Sequence, residues 1–213
     1  MHMLEAYITN LGKYNEGELV GEWLAFPTTQ EKLDAALKRI GIGPEYEEYF
    51  FTDYNCDVEG VYDVLGEYES VRELNYLGRV LDELGPDRMD ELEAVIDYES
   101  ARSVKDLINL AENLDNFFVA PEITTERELG EYMVEEGIVA VPEHLLGYID
   151  YEAIGRDAVL GGSGSLTNYG FVEPDGGFDE VYDGQHIPEE YDIRPQGPAM
   201  QAPRQEMKMV GGP

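Results

Sequence analysis

The sequence predicts an α+β chain of three small domains in line, followed by a flexible tail. Three observations predict it. Strand-period and helix-period segments alternate at both ends, while the middle is helical throughout. Negative charge runs along the chain instead of gathering in one block. Past about Glu173, aliphatic residues thin out and Gly and Pro recur without a period. A length of 213 residues fits one large domain or two to three small ones.

The N-terminal α+β domain is expected over residues 1–65. Leu4, Ala6 and Ile8 alternate with Glu5, Tyr7 and Thr9, which reads as a strand over 4–10. A Gly- and Asn-containing turn region, LGKYNEGEL, leads to a second strand over 19–26 that carries the only tryptophan, Trp23. Pro27 ends it. Thr28 or Thr29 then caps a helix with Leu33, Leu37 and Ile40 on its inner face, stopped by Gly41. Residues 46–54 make an aromatic third strand.

The central acidic helical domain is expected over 66–116. Ser70-Val-Arg-Glu73 has the form of a capping box. Val71, Leu74, Leu77, Leu81 and Leu84 keep helical spacing up to Gly85-Pro86. A second helix over 87–98 buries Met89, Leu92 and Ile96. A third starts at Ser103 with Leu107, Ile108, Ala111 and Leu114 inward.

The C-terminal α+β domain is expected over 117–173. It opens with a strand over 117–120. Thr125-Glu-Arg-Glu128 is another capping box, and its helix turns Leu129, Tyr132 and Met133 inward before Gly137. Residues 141–160 read as one helix or a helix pair begun by Pro142. A last strand spans 166–172, and residues 174–213 form the flexible Gly/Pro-rich tail.

Composition narrows the function. Fourteen basic and 46 acidic residues give a formal charge of −32, yet 43% of the chain is hydrophobic and 11% aromatic. A disordered acidic chain is poor in such residues, so the charge belongs to a folded surface. A field this negative opposes direct contact with nucleic acid or anionic membrane and favours strongly basic partners. The single cysteine, Cys56, excludes an intrachain disulfide and fits a reducing cytoplasm. No apolar run approaches the ~18 residues of a membrane helix, and the N-terminus lacks a signal-peptide pattern.

Catalytic and metal-binding patterns are absent from the sequence. His2, His144 and His186 lack ligand spacing, and Cys56 has no evident histidine partner. GGSGS at 161–165 lacks the lysine of a phosphate loop. PDGGFDEVYDG, from Pro174, does not match EF-hand spacing. No catalytic residue, cofactor or metal is expected, and the chain is not expected to be an enzyme.

The acids are the candidate functional residues. Between residues 45 and 70 stand Glu45, Glu47, Glu48, Asp53, Asp57, Glu59, Asp63, Glu67 and Glu69, with no Lys or Arg among them. Asp82 and Glu83 end the first central helix. Asp90, Glu91, Glu93 and Asp97 line the outer face of the second, and Glu112 and Asp115 lie on and after the third. Glu122, Glu126, Glu128, Glu131, Glu135 and Glu136 follow. Duplex DNA carries one charge per ~1.7 Å of axis, so 32 charges at that spacing cover about 54 Å, or roughly 16 base pairs. Acids on rigid elements present a pattern, as phosphates do, where mobile acids present only a diffuse field. The Tyr and Phe residues are read as the scaffold that holds them.

AYITNLGKYNEGELVGEWLAFP resembles the opening of the ArdA antirestriction proteins, and EYEEYFFTDYN their acidic aromatic segment. VPEHLLGYIDYEAIGRDAVLGG, followed by LTNYGFVE, is similar to their C-terminal signature. The resemblance covers about residues 3–173, and in the middle it extends only to helical, acidic character. It implies a DNA mimic encoded on mobile genetic elements that occupies the DNA-binding groove of type I restriction-modification enzymes. It also implies an elongated chain of three small domains pairing into a curved homodimer, without cofactor. The family's antirestriction motif falls on Leu145, Leu146, Tyr148, Ile149, Asp150, Tyr151, Gly155, Arg156 and Asp157, at or near the dimer contact. Arg156 then pairs with an acid across a two-fold interface; an ordinary helix with Arg156 bonded within its own subunit is the alternative. Two other functions share the composition: an acidic chaperone or sink for basic nucleoid-type proteins, and a mimic of DNA aimed at another DNA-binding protein.

Overall fold

The computed structural model describes residues 3–162, 164–196 and 200–201. In chain order its elements are β1 (Leu4–Asn10), α1 (Leu11–Asn15), β2 (Gly21–Phe26), α2 (Gln30–Arg39), β3 (Glu48–Cys56), α3 (Glu59–Val64) and α4 (Val71–Leu84). They continue with α5 (Met89–Glu99), α6 (Val104–Glu112), β4 (Phe117–Ala120), α7 (Glu126–Glu135), α8 (Tyr151–Leu160), β5 (Ser165–Thr167), β6 (Gly170–Pro174) and β7 (Met200–Gln201). The fold is α+β, as expected, with two small sheets. The chain divides into two compact units, and these do not coincide with the three expected domains. One unit holds the chain up to Asp57, Val64–Glu83 and the part from Gly184; the other holds Val58–Asp63 and Leu84–Asp183.

The first unit is built on a sheet of order β2-β1-β3-β7, with β1 antiparallel to both neighbours and β7 parallel to β3. Leu4, Ala6 and Ile8 are fully buried on one face of β1. On the other face Tyr7 lies opposite Trp23, the rings meeting edge-on at 5.4 Å. The β1–β3 register shifts between Tyr7 and Ile8, and Tyr49, Phe50 and Phe51 are all buried in succession. Strict alternation would expose Phe50. Here Tyr14 and Tyr68 cover it, at 5.2 and 6.2 Å between ring centroids. Tyr14 comes from α1, where the sequence predicts only a turn. Asn10 creates that helix by accepting the Lys13 N–H at 3.0 Å, while its own amide donates to Ile40 O.

Helix α4 belongs to this first unit and not to a separate central domain. Its inner residues Leu74, Leu77 and Leu81 are fully buried. Gly78 sits against main chain: a Cβ there would lie 2.6 Å from the Phe26 carbonyl carbon and 2.8 Å from the Pro27 nitrogen. The Thr28 N–H donates to Asn75 Oδ1 at 2.6 Å, fixing the helix to the end of β2.

In the second unit β6 runs antiparallel between β4 and β5. Helix α5 packs against this sheet, which is why the part of the expected central domain from Leu84 shares a unit with the expected C-terminal domain. The single last strand expected over 166–172 is a hairpin, because Thr167 Oγ1 donates to Gly170 O and accepts the Tyr169 N–H. Gly170 turns at φ +143° where any side chain would meet Ala120 O. The stretch from Pro142 is a 3-10 segment, Glu143–Tyr148, and then α8, separated by extended Ile149. Helix α3 has no counterpart in the sequence reading.

Residues 175–196 lack regular secondary structure, as their Gly and Pro predict. They are nonetheless packed: Tyr182 is 1% exposed and Ile193 7%. The expected tail past Gln196, apart from β7, lies outside the described residues, as do His2 and Ser163 of the GGSGS loop.

Gly78→Ala is expected to lower stability by about 1–3 kcal/mol through overpacking against Phe26 and Pro27. The readout is a lower urea midpoint at unchanged m-value. An unchanged midpoint means that α4 does not dock this closely.

Candidate functional site

Every candidate acid reaches solvent. Glu45, Glu47, Asp53, Asp57, Glu59, Asp63, Glu67, Glu83, Asp90, Glu112, Asp115, Glu122, Glu128, Glu135 and Glu136 are exposed. Glu48, Glu69, Asp82, Glu91, Glu93, Asp97, Glu126 and Glu131 are half-buried. The acidic run at 45–70 is divided between the two units. Glu45–Asp57, Glu67 and Glu69 lie in the first unit, whereas Glu59 and Asp63 lie in the second.

In the second unit Glu59 joins Glu93 and Asp97 around the β5–β6 turn. Glu93 Oε1 accepts the Glu59 N–H at 2.9 Å. The Tyr169 hydroxyl donates to Glu59 Oε2 at 3.2 Å, and the Asn168 N–H donates to Asp97 Oδ2 at 3.0 Å. Desolvation, the bond to Glu59 and the charges of Glu59, Glu93 and Asp97 hold the Tyr169 phenol above its ordinary pKa. Sequence reasoning missed Asn168 and Tyr169 because their partners stand about 70 and 110 residues away.

In the first unit Tyr46 engages an acid in the same way. The Tyr46 hydroxyl donates to Glu16, and that bond, desolvation and the charges of Glu16, Glu45 and Glu18 raise its pKa. Tyr54 is buried and donates to Gly66 O at 2.7 Å. Burial first, then Glu69 and Glu67, push its phenol up.

On α7 the expected capping box is present. Thr125 Oγ1 accepts the Glu128 N–H, and Glu128 Oε2 accepts the Thr124 and Thr125 N–H groups at 2.9 and 3.0 Å. These bonds, that from the Thr124 main chain foremost, hold the Glu128 carboxyl below the usual range. Arg127 pairs with Glu131, and Arg88 with both Glu91 and Asp115.

The motif residues divide by role. Leu145, Leu146 and Tyr148 are exposed on the 3-10 segment, Tyr148 by 86%. Ile149 is half-buried. Asp150 caps α8 by accepting the Ala153 N–H at 3.1 Å, and the Tyr151 hydroxyl donates to Leu146 O. Gly155 is buried where α7 and α8 cross: a Cβ there would strike Glu126 O, and one on Gly130 would strike Tyr151 O. Gly130 was not singled out in the sequence, although glycine inside an otherwise good helix is itself a signal of close approach. Arg156 and Asp157 are exposed, and among the described residues the Arg156 guanidinium takes part in no ion pair. Leu160 and Ile138 of the second unit are exposed as well, by 78% and 60%.

A family model described as antirestriction protein (ArdA) matches residues 6–173. A search of the curated proteins found no match.

Gly155→Ala is expected to cost about 1–3 kcal/mol or more, since both clashing atoms are main chain; thermal unfolding at wild-type values means the helices can part cheaply. Replacing Glu59 by Gln removes a negative neighbour and is expected to lower the Tyr169 pKa, read by NMR at the ring Cζ. An unchanged titration places Glu59 away from that hydroxyl in solution.

Proposed function

The chain belongs to the ArdA antirestriction family, and we propose that it protects incoming DNA as a homodimeric DNA mimic. In this reading it occupies the DNA-binding groove of type I restriction-modification enzymes. It is a binding protein, without catalytic groups or cofactor.

The observation that carries the reading is the fixing of carboxylates on regular elements by short-range bonds. Glu128, Glu93 and Asp97 are held by main-chain N–H groups, and Glu59 by a tyrosine. Several of the cations are paired locally: Arg39 with Glu22, Arg79 with Glu83, Arg88 with Glu91 and Asp115, Arg127 with Glu131. What remains outward is excess negative charge at defined places. A DNA-binding groove meeting it keeps the contacts it makes to phosphates, and both partners release counterions. Many carboxylates share the energy, each contributing little, as exposed ion pairs do.

Dimer formation is assigned to the motif surface. Exposed Leu145, Leu146 and Tyr148 offer apolar area, and Arg156 offers a cation to an acid of the second copy under two-fold symmetry. Arg156→Glu or Leu146→Asp is expected to weaken dimerisation by sedimentation velocity; a fully dimeric, well-folded double variant excludes this surface.

The functional test is competition. The purified protein is titrated into a type I methyltransferase bound to labelled duplex, and DNA release is followed by anisotropy at several salt concentrations. Stoichiometric displacement at near-physiological salt is expected. Displacement only at low salt, and equally from unrelated basic proteins, overturns the mimic and leaves an acidic sink for basic proteins. Moving acids along α7 at constant charge separates the two again, since only a mimic loses affinity. Following methylation alongside cleavage shows whether modification is blocked together with restriction.

A further inference from the structure

We propose that the asparagine-lined face of α6 is a groove that reads peptide main chain. Residues 178–183 of this same chain are its occupant in cis. The groove lies inside the family match, and the occupant lies beyond its end at residue 173. The inference does not depend on which enzyme the protein inhibits.

Asn109, on the inner face of α6, and Asn113, at its C-terminal cap, stand one helical turn apart, each 2% exposed. The Asn109 amide donates to Tyr182 O at 2.8 Å, and its Oδ1 accepts the Tyr182 N–H at 2.9 Å. Asn113 does the same with Asp179, at 2.8 Å in both directions. Each carboxamide thus pairs with both main-chain groups of one residue, as a neighbouring strand does. Asn116 extends the row. Its carbonyl accepts the Asp175 N–H at 2.8 Å, and its side chain donates to Asn113 Oδ1. Gly176 passes so close that a Cβ would lie 2.8 Å from Asn116 Oδ1.

Buried carboxamides without partners are unfavourable, and an apolar helix face has no use for them. Each amide here also donates back one turn, to Lys105 O and Asn109 O, and the donor and acceptor left over are both met by one peptide, which makes a built recognition surface. Its contacts are to main chain and so accept most sequences. Selection falls to Tyr182, the buried anchor, and to the Lys105–Glu180 ion pair beside it. The same device recurs in the first unit. There the Gln30 carboxamide donates to Arg194 O at 2.6 Å and accepts the Arg194 N–H at 3.0 Å. The Asn75 amide donates to Tyr191 O at 2.9 Å.

The test uses the full chain. Residues 175–183 have no regular secondary structure, so their amides should exchange freely unless the groove holds them. Hydrogen exchange at Asp179 and Tyr182 is expected to be about 100-fold slower than in a free peptide. Asn109→Ala with Asn113→Ala is expected to abolish that protection while α7 and α8 keep theirs. Tyr182→Ala is then used to unseat residues 178–183. A labelled synthetic peptide of residues 176–185 is expected to bind this variant but not the wild type, whose groove is filled at high effective concentration. It is expected not to bind once both asparagines are also replaced. Free exchange at Asp179 and Tyr182 in the wild type overturns the proposal. So does a peptide that ignores the folded Tyr182→Ala protein, or that binds equally well without the asparagines.

Discussion

Repulsion between like charges is the constraint on which the rest of this structure depends. A formal charge of −32 on 213 residues opposes any compact state, and 14 cations cannot neutralise 46 acids. The chain meets this by giving carboxylates to main-chain donors. Glu128 takes the N–H groups before α7, Asp150 that of Ala153 in α8, and Asp106 that of Arg102 before α6. Helix N-termini are positive ends with unsatisfied donors, so each such carboxylate is stabilised and immobilised together. Sequence patterning that serves folding therefore also fixes where the charge stands.

The tyrosines complete that arrangement. A phenol presents an apolar ring to the core and a donor to a carboxylate, which neither Phe nor Leu can do. Tyr46 and Tyr169, which donate to Glu16 and Glu59, are pushed above the ordinary phenol pKa with those acids among the causes. They stay protonated donors well above neutral pH. An acidic segment full of Tyr and Phe is in this sense one device: the ring is buried or half-buried beneath the charge it orders.

Much of this was legible in the sequence, for identifiable reasons. Strand Phe117–Ala120 and the capping box before Glu126–Glu135 carry signals contained within a few residues, and the structure has both. Strand Leu4–Asn10 likewise declares its buried face by alternation. What failed was long-range. Nothing local says that α4 docks its Gly78 onto Phe26, or that α5 shares a unit with the C-terminal sheet. The turn at 168–169 interrupts an apolar pattern that otherwise reads as one strand. For the candidate site, the exposure of the acids followed from composition, but their grouping did not, since Glu59 meets Tyr169 only through the fold. Gly155 was noticed through a family motif, and its crossing partner Gly130 was not, although one argument covers both.

Asn109 and Asn113 also went unread, and the reason bears on how an acidic chain holds its own extension. Residues 175–196 contain seven acids and one arginine, yet they must dock on bodies that are themselves acidic. Docking by charge is scarcely available: Lys105 and Arg72 supply it at Glu180 and Asp192. Docking by apolar side chains is limited to a few anchors such as Tyr182 and Ile193. Neutral carboxamides avoid both limits. They bind the peptide groups that every acidic residue still carries, and they bury no charge in doing so. A helix that looks flawed by asparagines on its inner face and at its C-terminal cap is thus suited to a partner whose side chains are mostly negative.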